Sequence, residues 1–508
     1  MSSKVIEHVV VVGGGSAGWL SASVLAADHP ALRITLIESP DVAPIGVGEG
    51  TWPTMRDTLH KIGVSESDFF RECDAAFKQG SRFNGWVDGA PDDYYFHPFV
   101  LPQGFSETPL AGRWQERHSD VPFADLVSFQ PHLCVQGRAP KQASTPEFAA
   151  VANYGYHLDA GKFGVFLRKH CIDKLGVQYV CDHVSAIHSH ADGDIASLQT
   201  RDHGVLAGDL FIDCTGMQSL LLGQHFGVEF LSQQHVLFND SALAIQVPYP
   251  HADTPIASQT TSTAQECGWI WDIGLPTRRG IGYVYSSAHS TDEAALKVLR
   301  AYVGIETIAP RKLTFKPGYR KQFWHRNCVA IGLSAGFIEP LEASALALVE
   351  LSASMLSDEM PATRAVMDIV ARRFNEAFTY RWERVIDFLK LHYVLSRRDD
   401  SQYWRDNRAA ASIPERLAEL LTLWAHRPPS RTDLGRIDEV FPSASYQYVL
   451  YGMGFRTEHN LADRRPGIAD AADGYFREAA ALTAKMLPAL PSNRELIEHI
   501  RSHGLRTM

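Results

Sequence analysis

The chain of 508 residues carries 48 lysines and arginines against 58 aspartates and glutamates, a formal charge of −10, with 45% hydrophobic and 21% charged residues. This length buries a large core and suits two or three domains or one elaborated enzyme, while the acidic balance disfavours a nucleic-acid partner, which calls for a basic surplus or stripe. No run of 18 apolar residues is present to span a membrane, and the 7 scattered cysteines contain no C-x-x-C, so neither a metal site nor a disulfide framework is expected and a reduced, cytoplasmic setting fits. The opening "MSSKVIEHVVVVGGG" has too short an apolar run for a signal peptide and leads directly into glycines. "HVVVVGGGSAGWLSASVLAAD" reads as a buried strand, a glycine turn and a helix, and "RITLIES" as a second strand, which together make a βαβ unit.

Within that unit Gly13, Gly15 and Gly18 form G-x-G-x-x-G, with Gly14, Ser16 and Ala17 filling the turn and the helix start. The first glycine permits the tight turn, the second admits a pyrophosphate to the backbone, and the third lets helix and strand pack closely. The pyrophosphate would rest on the positive end of the helix. Glu38, 20 residues after Gly18, ends the second strand, where a carboxylate accepts ribose hydroxyls. The plain alternative is an ordinary βα turn, but strand, helix and acid in register favour a dinucleotide. No second fingerprint is visible, and "GVGEGTWP" (Gly46–Pro53) and "FIDCTG" (Phe211–Gly216) read as further loops closing on one long cofactor, which favours FAD.

Further along, Phe77–Phe99 is rich in aromatics and glycine, and the polar stretch Ala139–Phe148 reads as an exposed loop. "YHLDAGKFGVFLRKHCIDKLGVQYVCDHVSAI" reads as helix then strand, and β-rich segments continue to about Tyr319. Among them "GWIWDIGLPTRRGIGYVYSS" sends Trp269 and Trp271 to the same side of a strand. Such a pair is either part of a packed core or an aromatic wall between two compartments. After "NCVAIGLSAGFIEPLEASALALVELSASML" the pattern is amphipathic helix, interrupted at Pro361 and resumed to about Leu395; "HRPPSRTD" is a loop before a final helical stretch. The expected fold is α/β plus α: a discontinuous FAD-binding domain over 1–345, Rossmann-like and doubly wound with a β-rich part and an aromatic substrate-contacting insert about 80–150, and a mostly helical substrate-side domain over 346–508.

Several of these stretches together resemble the flavin-dependent halogenases of the tryptophan halogenase family. The resemblance rests on the glycine fingerprint, "GVGEGTWP", "FKQG" with Lys78, "GWIWDIGL" beside the family's W-x-W-x-I-P, and "GFIEPLEAS" beside its E-P-L-E-S element. "YHLDAGKF", "FIDCTG" and "FLKLHY" are weaker matches, and together they cover about residue 8 to 460. The signature's proline is Gly274 here, which loosens backbone that proline would fix. The resemblance implies a halide-oxidising domain over 1–345, with reduced FAD (FADH2) supplied by a separate flavin reductase, and O2 and a halide ion, chloride or bromide, giving hypohalous acid. That acid then halogenates an electron-rich aromatic.

In that chemistry Lys78 would meet the oxidised halogen by hydrogen bonding or as a haloamine. Glu342 would stabilise the arenium cation, orient the halogenating species or accept the ring proton. Standing alone, Lys78 reads as a solvated lysine and Glu342 as a carboxylate favoured at a helix start. The resemblance places the halide at Ser344 and Ala345, where the family's E-S-T-G is E-A-S-A, and flavin-flanking contacts at Ser16, Ala17, Glu49, Val184, Gly332, Leu333 and Leu346. It assigns Trp269 and Trp271 to the wall that keeps the organic substrate from the flavin. It also assigns His97 and Phe99 to an indole-stacking pair. Tyr446 and Phe455 are candidate pocket residues in "SASYQYVLYGMGFRTEH", where no ligand for an amino-acid group is evident, so indole or an indole derivative is expected before free tryptophan. A homodimer is compatible with this reading. The alternative is an FAD-dependent aromatic monooxygenase acting on NAD(P)H without halide, and a catalytically silent FAD-binding protein is the non-enzyme reading.

Overall fold

The computed structural model describes residues 4–41, 48–436, 439–458 and 465–507. Compactness divides the chain into two units, each drawn from three segments. Met1–Asp74, Leu158–Gln233 and Lys316–Trp382 form the first; Ala75–His157, Gln234–Phe315 and Glu383–Met508 form the second. The sequence expectation is a discontinuous first domain with an insert at about 80–150, ending at 345, and a second domain from 346. The chain instead divides so that the aromatic insert and the Trp269 strand share the second unit, while the helix after Glu342 belongs to the first.

The first unit is built on a six-stranded sheet in the order Trp324–His325, Cys328–Ala330, Leu210–Asp213, His8–Val12, Arg33–Glu38, Gln178–Cys181. All neighbours pair in parallel except the first two. His8–Val12 lies near the middle and is buried throughout, which is why its valines run without polar alternation. Helix Ser16–Asp28 is buried from Gly18 to Ala26 and packs against helices Ala160–Lys174 and Ser344–Asp358. Asp159 starts helix Ala160–Lys174 by accepting the Lys162 N–H at 3.1 Å.

The second unit carries a seven-stranded sheet: Arg311–Thr314, Ser241–Pro248, Arg278–Tyr285, Gly268–Gly274, Thr260–Gln265, Gly80–Asn84, Tyr94–Pro98. Only Thr260–Gln265 and Gly80–Asn84 run parallel. One face is covered by helix Asp292–Val303, whose Ala295 and Leu299 pack on Leu243, Ile270, Ile281, Tyr283 and Tyr285. Alternation then sends Trp269 and Trp271 to the other face. Beyond this sheet and strand Ala76–Lys78 the unit is mostly helical, with Ser443–Gly452 lying against strand Tyr94–Pro98.

The stretch Ala139–Phe148 is not the exposed loop expected from its composition. Ala139 and Lys141 are fully buried. The Ala139 N–H donates to the Pro491 carbonyl at 2.9 Å. The Lys141 ammonium donates to the Pro146 carbonyl and the Tyr154 hydroxyl, each at 3.1 Å. Paired this way, a lysine is tolerated inside. Among the described residues no helix is long and apolar enough to cross a membrane, and no group of three His, Cys, Asp or Glu side chains could hold a metal.

Candidate active site

The fingerprint glycines of the first unit are required for different reasons. Gly13 has φ +113°, and a Cβ there would lie 2.2 Å from the Cys214 carbonyl oxygen. A Cβ on Gly18 would lie 1.9 Å from the Gly13 oxygen, and one on Gly14 would lie 2.2 Å from Glu38 Cδ. These three close the turn on itself. Gly15, at φ −73°, has nothing within 4 Å of its Cβ position. It caps helix Ser16–Asp28 without a side-chain hydrogen bond, and the first turn holds no acidic residue. Uncapped N–H groups facing open space suit a pyrophosphate.

The other expected cofactor residues gather around this turn. Glu38 Oε2 is buried without a hydrogen-bond partner among the described residues, with the Arg168 guanidinium 3.7 Å away. An acceptor left open beside the glycine turn fits a ribose hydroxyl. Gly332, at φ +77°, brings the turn Gly332–Ser334, with Leu333, against the helix start, since a Cβ on it would lie 2.7 Å from Ala17 Cβ. Leu346 is buried in the first turns of helix Ser344–Asp358. Val184 opens strand Val184–Ser189 after Asp182, whose N–H donates to the Glu38 carbonyl at 2.9 Å. Burial pushes the Glu49 carboxyl up to about 7. Gly46 and Val47 of "GVGEGTWP" lie outside the described residues. The residues present therefore fit FAD. Asp213 of "FIDCTG", in contrast, points into its own turn. Its carboxylate accepts from Thr215 N (3.0 Å), Thr215 Oγ1 (2.6 Å), Leu221 N (2.9 Å) and Leu222 N (2.8 Å).

Glu342, also in the first unit, is 6% exposed and stands on unusual backbone. It has φ 63°, ψ 7°, and Ala343 follows at φ 54°, ψ 44°. Two successive non-glycine residues in the left-handed region cost on the order of 1–3 kcal/mol each and persist only where the surroundings hold them. Ser344 returns to φ −76°, ψ −14° and begins helix Ser344–Asp358. A left-handed residue followed by a right-handed one turns successive N–H groups into one concavity, a shape that accepts an anion. Ser344 and Ala345 sit at that concavity.

In the second unit Lys78 ends strand Ala76–Lys78, pairs with Gly155 and is fully buried. Its Nζ lies 5.4 Å from the centroid of the Phe99 ring, a cation–π distance. Burial, and then the Lys78 charge, hold the His157 imidazole well below its usual range. His157 shares a 2.8 Å hydrogen bond with Thr260 Oγ1. Buried amides frame the lysine. The Gln79 side chain donates to the Arg138 carbonyl at 2.7 Å. Gln130 Oε1 accepts the Phe99 and Val100 N–H groups at 2.8 and 2.9 Å, while its nitrogen donates to the Asn153 carbonyl at 2.6 Å. Asn153 in turn donates to the Phe99 carbonyl at 3.0 Å.

His97 stands two residues before Phe99 and is buried. Its Nε2 shares a 2.8 Å hydrogen bond with Ser445 Oγ, and its ring lies 5.6 Å from Phe388. Tyr446 packs on that same Phe388 at 4.9 Å and on Trp424 at 5.1 Å. Phe455 lines a cavity of about 590 Å³ with Val394, Arg397, Arg408, Met453 and Arg456, and the lining includes none of Lys78, His97, Phe99 or Tyr446. The Trp269 and Trp271 rings lie 6.4 Å apart. Trp269 packs against Trp86 at 6.3 Å, and Trp271 covers Gly282, where a Cβ would lie 2.0 Å from its ring. A Cβ on Gly274 would lie 3.0 Å from Ile256 Cγ2 and 3.1 Å from the Ala257 nitrogen. That crowding explains the small residue where the family signature has proline.

A fingerprint turn with an open ribose acceptor, a buried lysine over an aromatic ring and a glutamate on a strained turn meet one family description. The tryptophan halogenase family model matches residues 8–466. The chain belongs to the tryptophan halogenase family. It is 33% identical to tryptophan 6-halogenase SttH of Streptomyces toxytricini over 96% of this chain and 98% of that one. It is 31% identical to tryptophan 7-halogenase RebH of Lentzea aerocolonigenes over 99% and 100%. The crystal structure of a tryptophan halogenase from Shewanella frigidimarina superposes with a TM-score of 0.97 at 50% identity, covering 99% of each chain. The protein is a flavin-dependent halogenating enzyme acting on an indole-type aromatic, and the monooxygenase alternative is not favoured.

Sequence reasoning missed several residues of this halogenase. Gln130 and Asn153 carry no motif and Gln79 was read only as part of "FKQG"; the fold brings all three to Phe99. Gly282 supplies the space for Trp271 from the neighbouring strand. Trp52, read only as part of a cofactor loop, donates its indole N–H to the Glu342 carbonyl at 2.8 Å.

Proposed function

We propose that the halogenase takes reduced FAD from a separate flavin reductase and uses O2 with chloride or bromide to form hypohalous acid, which halogenates indole or an indole derivative. Bound reduced flavin supplies, with O2, the two-electron oxidation of halide. The chain's own residues do the remainder. Gly15 and the helix start bind the pyrophosphate, Glu38 the ribose, and the N–H groups of Ser344 and Ala345 the halide. Lys78 holds the oxidised halogen as a hydrogen-bond donor or as a haloamine. Glu342 stabilises the arenium cation and takes the proton that the ring loses, a role for which a desolvated carboxylate is suited. Trp269 and Trp271 keep the organic substrate from the flavin. Tyr446 packs on the aromatic rings of Phe388 and Trp424, a surround that favours indole over free tryptophan.

The observation that carries this reading is the fully buried Lys78 ammonium, 5.4 Å from the Phe99 ring. A charge kept in an aromatic surround at a desolvation cost points to chemistry rather than packing. Mass spectrometry of an aromatic panel incubated with FAD, NADH, a flavin reductase and either halide tests it. Halogen isotope patterns are expected on indoles and only with the reductase present, in keeping with a cytoplasmic enzyme that depends on cellular reductant. Halide-independent hydroxylation, or halogenation driven by NADH without a reductase, would overturn it. Competition between indole and tryptophan in one reaction decides the substrate form.

A further inference from the structure

We infer that Trp52 is a positioning residue for the halogenase site: its indole N–H holds the left-handed turn that carries Glu342 and opens the halide-binding N–H groups. The inference rests on the reading of Glu342, Ser344 and Ala345 given above. Glu342 and Ala343 both occupy the left-handed region without being glycine. The hydrogen bonds on the turn include one from Ala343 N–H to the Pro340 carbonyl at 2.9 Å and one from Trp52 Nε1–H to the Glu342 carbonyl at 2.8 Å. The first is local and closes a turn of ordinary size. The second comes from 290 residues away and fixes the orientation of the peptide plane between Glu342 and Ala343.

Trp52 is itself braced to the helix that the turn begins. It is followed by Pro53 and helix Thr54–Lys61, which packs against Ser344–Asp358. Across that contact Thr58 Oγ1 donates to Glu350 Oε1 at 2.7 Å, and Thr54 Oγ1 donates to Glu350 Oε2 at 3.4 Å. The indole donor and the helix start therefore move as one body. Without the donor, Glu342 and Ala343 are free to relax toward right-handed backbone, which would turn the carboxylate and disperse the N–H concavity.

The test uses the flavin-loaded enzyme with its reductase. Trp52→Phe keeps the ring and removes the donor. The halide KM is expected to rise about 5- to 10-fold, the size of one lost hydrogen bond, with FAD affinity unchanged. Amide exchange over residues 341–348 is expected to quicken. Adding Ala343→Gly to Trp52→Phe should restore most of the halide KM and the slow exchange, because glycine adopts left-handed backbone without penalty. A Trp52 that acted only by packing would gain nothing from that glycine. As a second arm that leaves Trp52 in place, Ala343→Val should raise the halide KM at least as much, since a β-branched residue resists positive φ. Parent halide KM and parent exchange in Trp52→Phe, no rescue by Ala343→Gly, or a parent halide KM in Ala343→Val would each overturn the inference. If Glu342→Gln keeps the parent rate while the exchange and rescue results hold, the acid's role fails and the positioning of the turn stands.

Discussion

Glu342 and Lys78 are delivered in opposite ways. Glu342 stands on two successive left-handed residues, in a turn that takes a local hydrogen bond and a distant indole donor. Lys78 ends a regular strand, and the amides near it make hydrogen bonds that run from Gln79 to the Arg138 carbonyl and from Gln130 to the Asn153 carbonyl. The first arrangement stores strain and depends on a few contacts; the second is unstrained and depends on many. Substitutions around the acid are therefore expected to change chemistry or halide binding before they change stability. Substitutions around the lysine are expected to do the reverse, unless they remove the ammonium itself.

The largest expected effect tests that exception. Lys78→Ala should abolish halogenated product while flavin reoxidation by O2 continues, because the oxidised halogen loses its anchor. Glu342→Gln keeps the volume and removes the charge, and should slow product formation by roughly 10- to 1000-fold, the range for losing one electrostatic stabiliser. Following peroxide release, flavin reoxidation and product in the same reaction separates these steps. Parent-rate halogenation of indole by Lys78→Ala would remove the lysine from the mechanism.

Gly15→Leu sharpens the contrast between strained and unstrained backbone. Gly15 has an ordinary φ of −73° and open space beyond its Cβ position, whereas Gly13 and Gly18 have a backbone oxygen within 2.2 Å of theirs. Gly15→Leu should keep the circular dichroism spectrum and weaken FAD binding by about 10-fold or more, a loss that flavin fluorescence reads directly. Gly18→Ala should damage the fold as well. Equal FAD affinity in Gly15→Leu would make the fingerprint a turn and nothing else.

The glycine turn, Glu38 and the two-tryptophan face were legible in the sequence because each follows from a local rule: a strand–turn–helix motif, a fixed spacing and period-2 alternation. Alternation placed Trp269 and Trp271 together, yet it could not show that Gly282 on the facing strand makes room for the second ring. Lys141 was illegible for a related reason. A polar stretch with prolines reads as solvated, and only the approach of Tyr154 and the Pro146 carbonyl makes its burial tolerable. Trp52 and Gln130 act across 290 and 31 positions respectively. A discontinuous first domain was expected, but the assignment of segments to units was not, since it depends on contacts between residues far apart in the chain.

A smaller effect distinguishes the amide frame from ordinary packing. Gln130→Leu would leave the part-buried Val100 N–H without its acceptor and the Phe99 N–H with only its 3.2 Å bond to the Gln79 carbonyl, at a cost of roughly 1–3 kcal/mol. Chemical denaturation should show that loss, together with a raised KM for indole as Phe99 loosens. Gln130→Glu retains the acceptor for both N–H groups and should recover the indole KM more than the stability, because it buries a carboxyl. An indole KM that is unchanged in Gln130→Leu would separate the frame from the site.

The smallest effect concerns the brace behind the strained turn. Burial pushes the Glu350 carboxyl up to about 8, against the opposing Thr58 and Thr54 hydrogen bonds, so it is largely protonated in the folded protein at neutral pH. In the unfolded chain the same group titrates near 4.5. Between those values the folded state binds one more proton than the unfolded state, and stability must fall as pH rises, by up to about 1.4 kcal/mol per pH unit from this one group. Its contribution is complete below about pH 4.5 and is lost as pH rises through about 8. Glu350→Gln keeps an acceptor for Thr58 and cannot ionise. The pH dependence of the thermal midpoint between pH 5 and 8 should therefore be flatter in Glu350→Gln than in the parent, with the two curves diverging toward the alkaline end. Parallel curves would mean that the buried carboxyl does not change protonation on folding, and the helix carrying the halide turn would then be braced by an ionised acid.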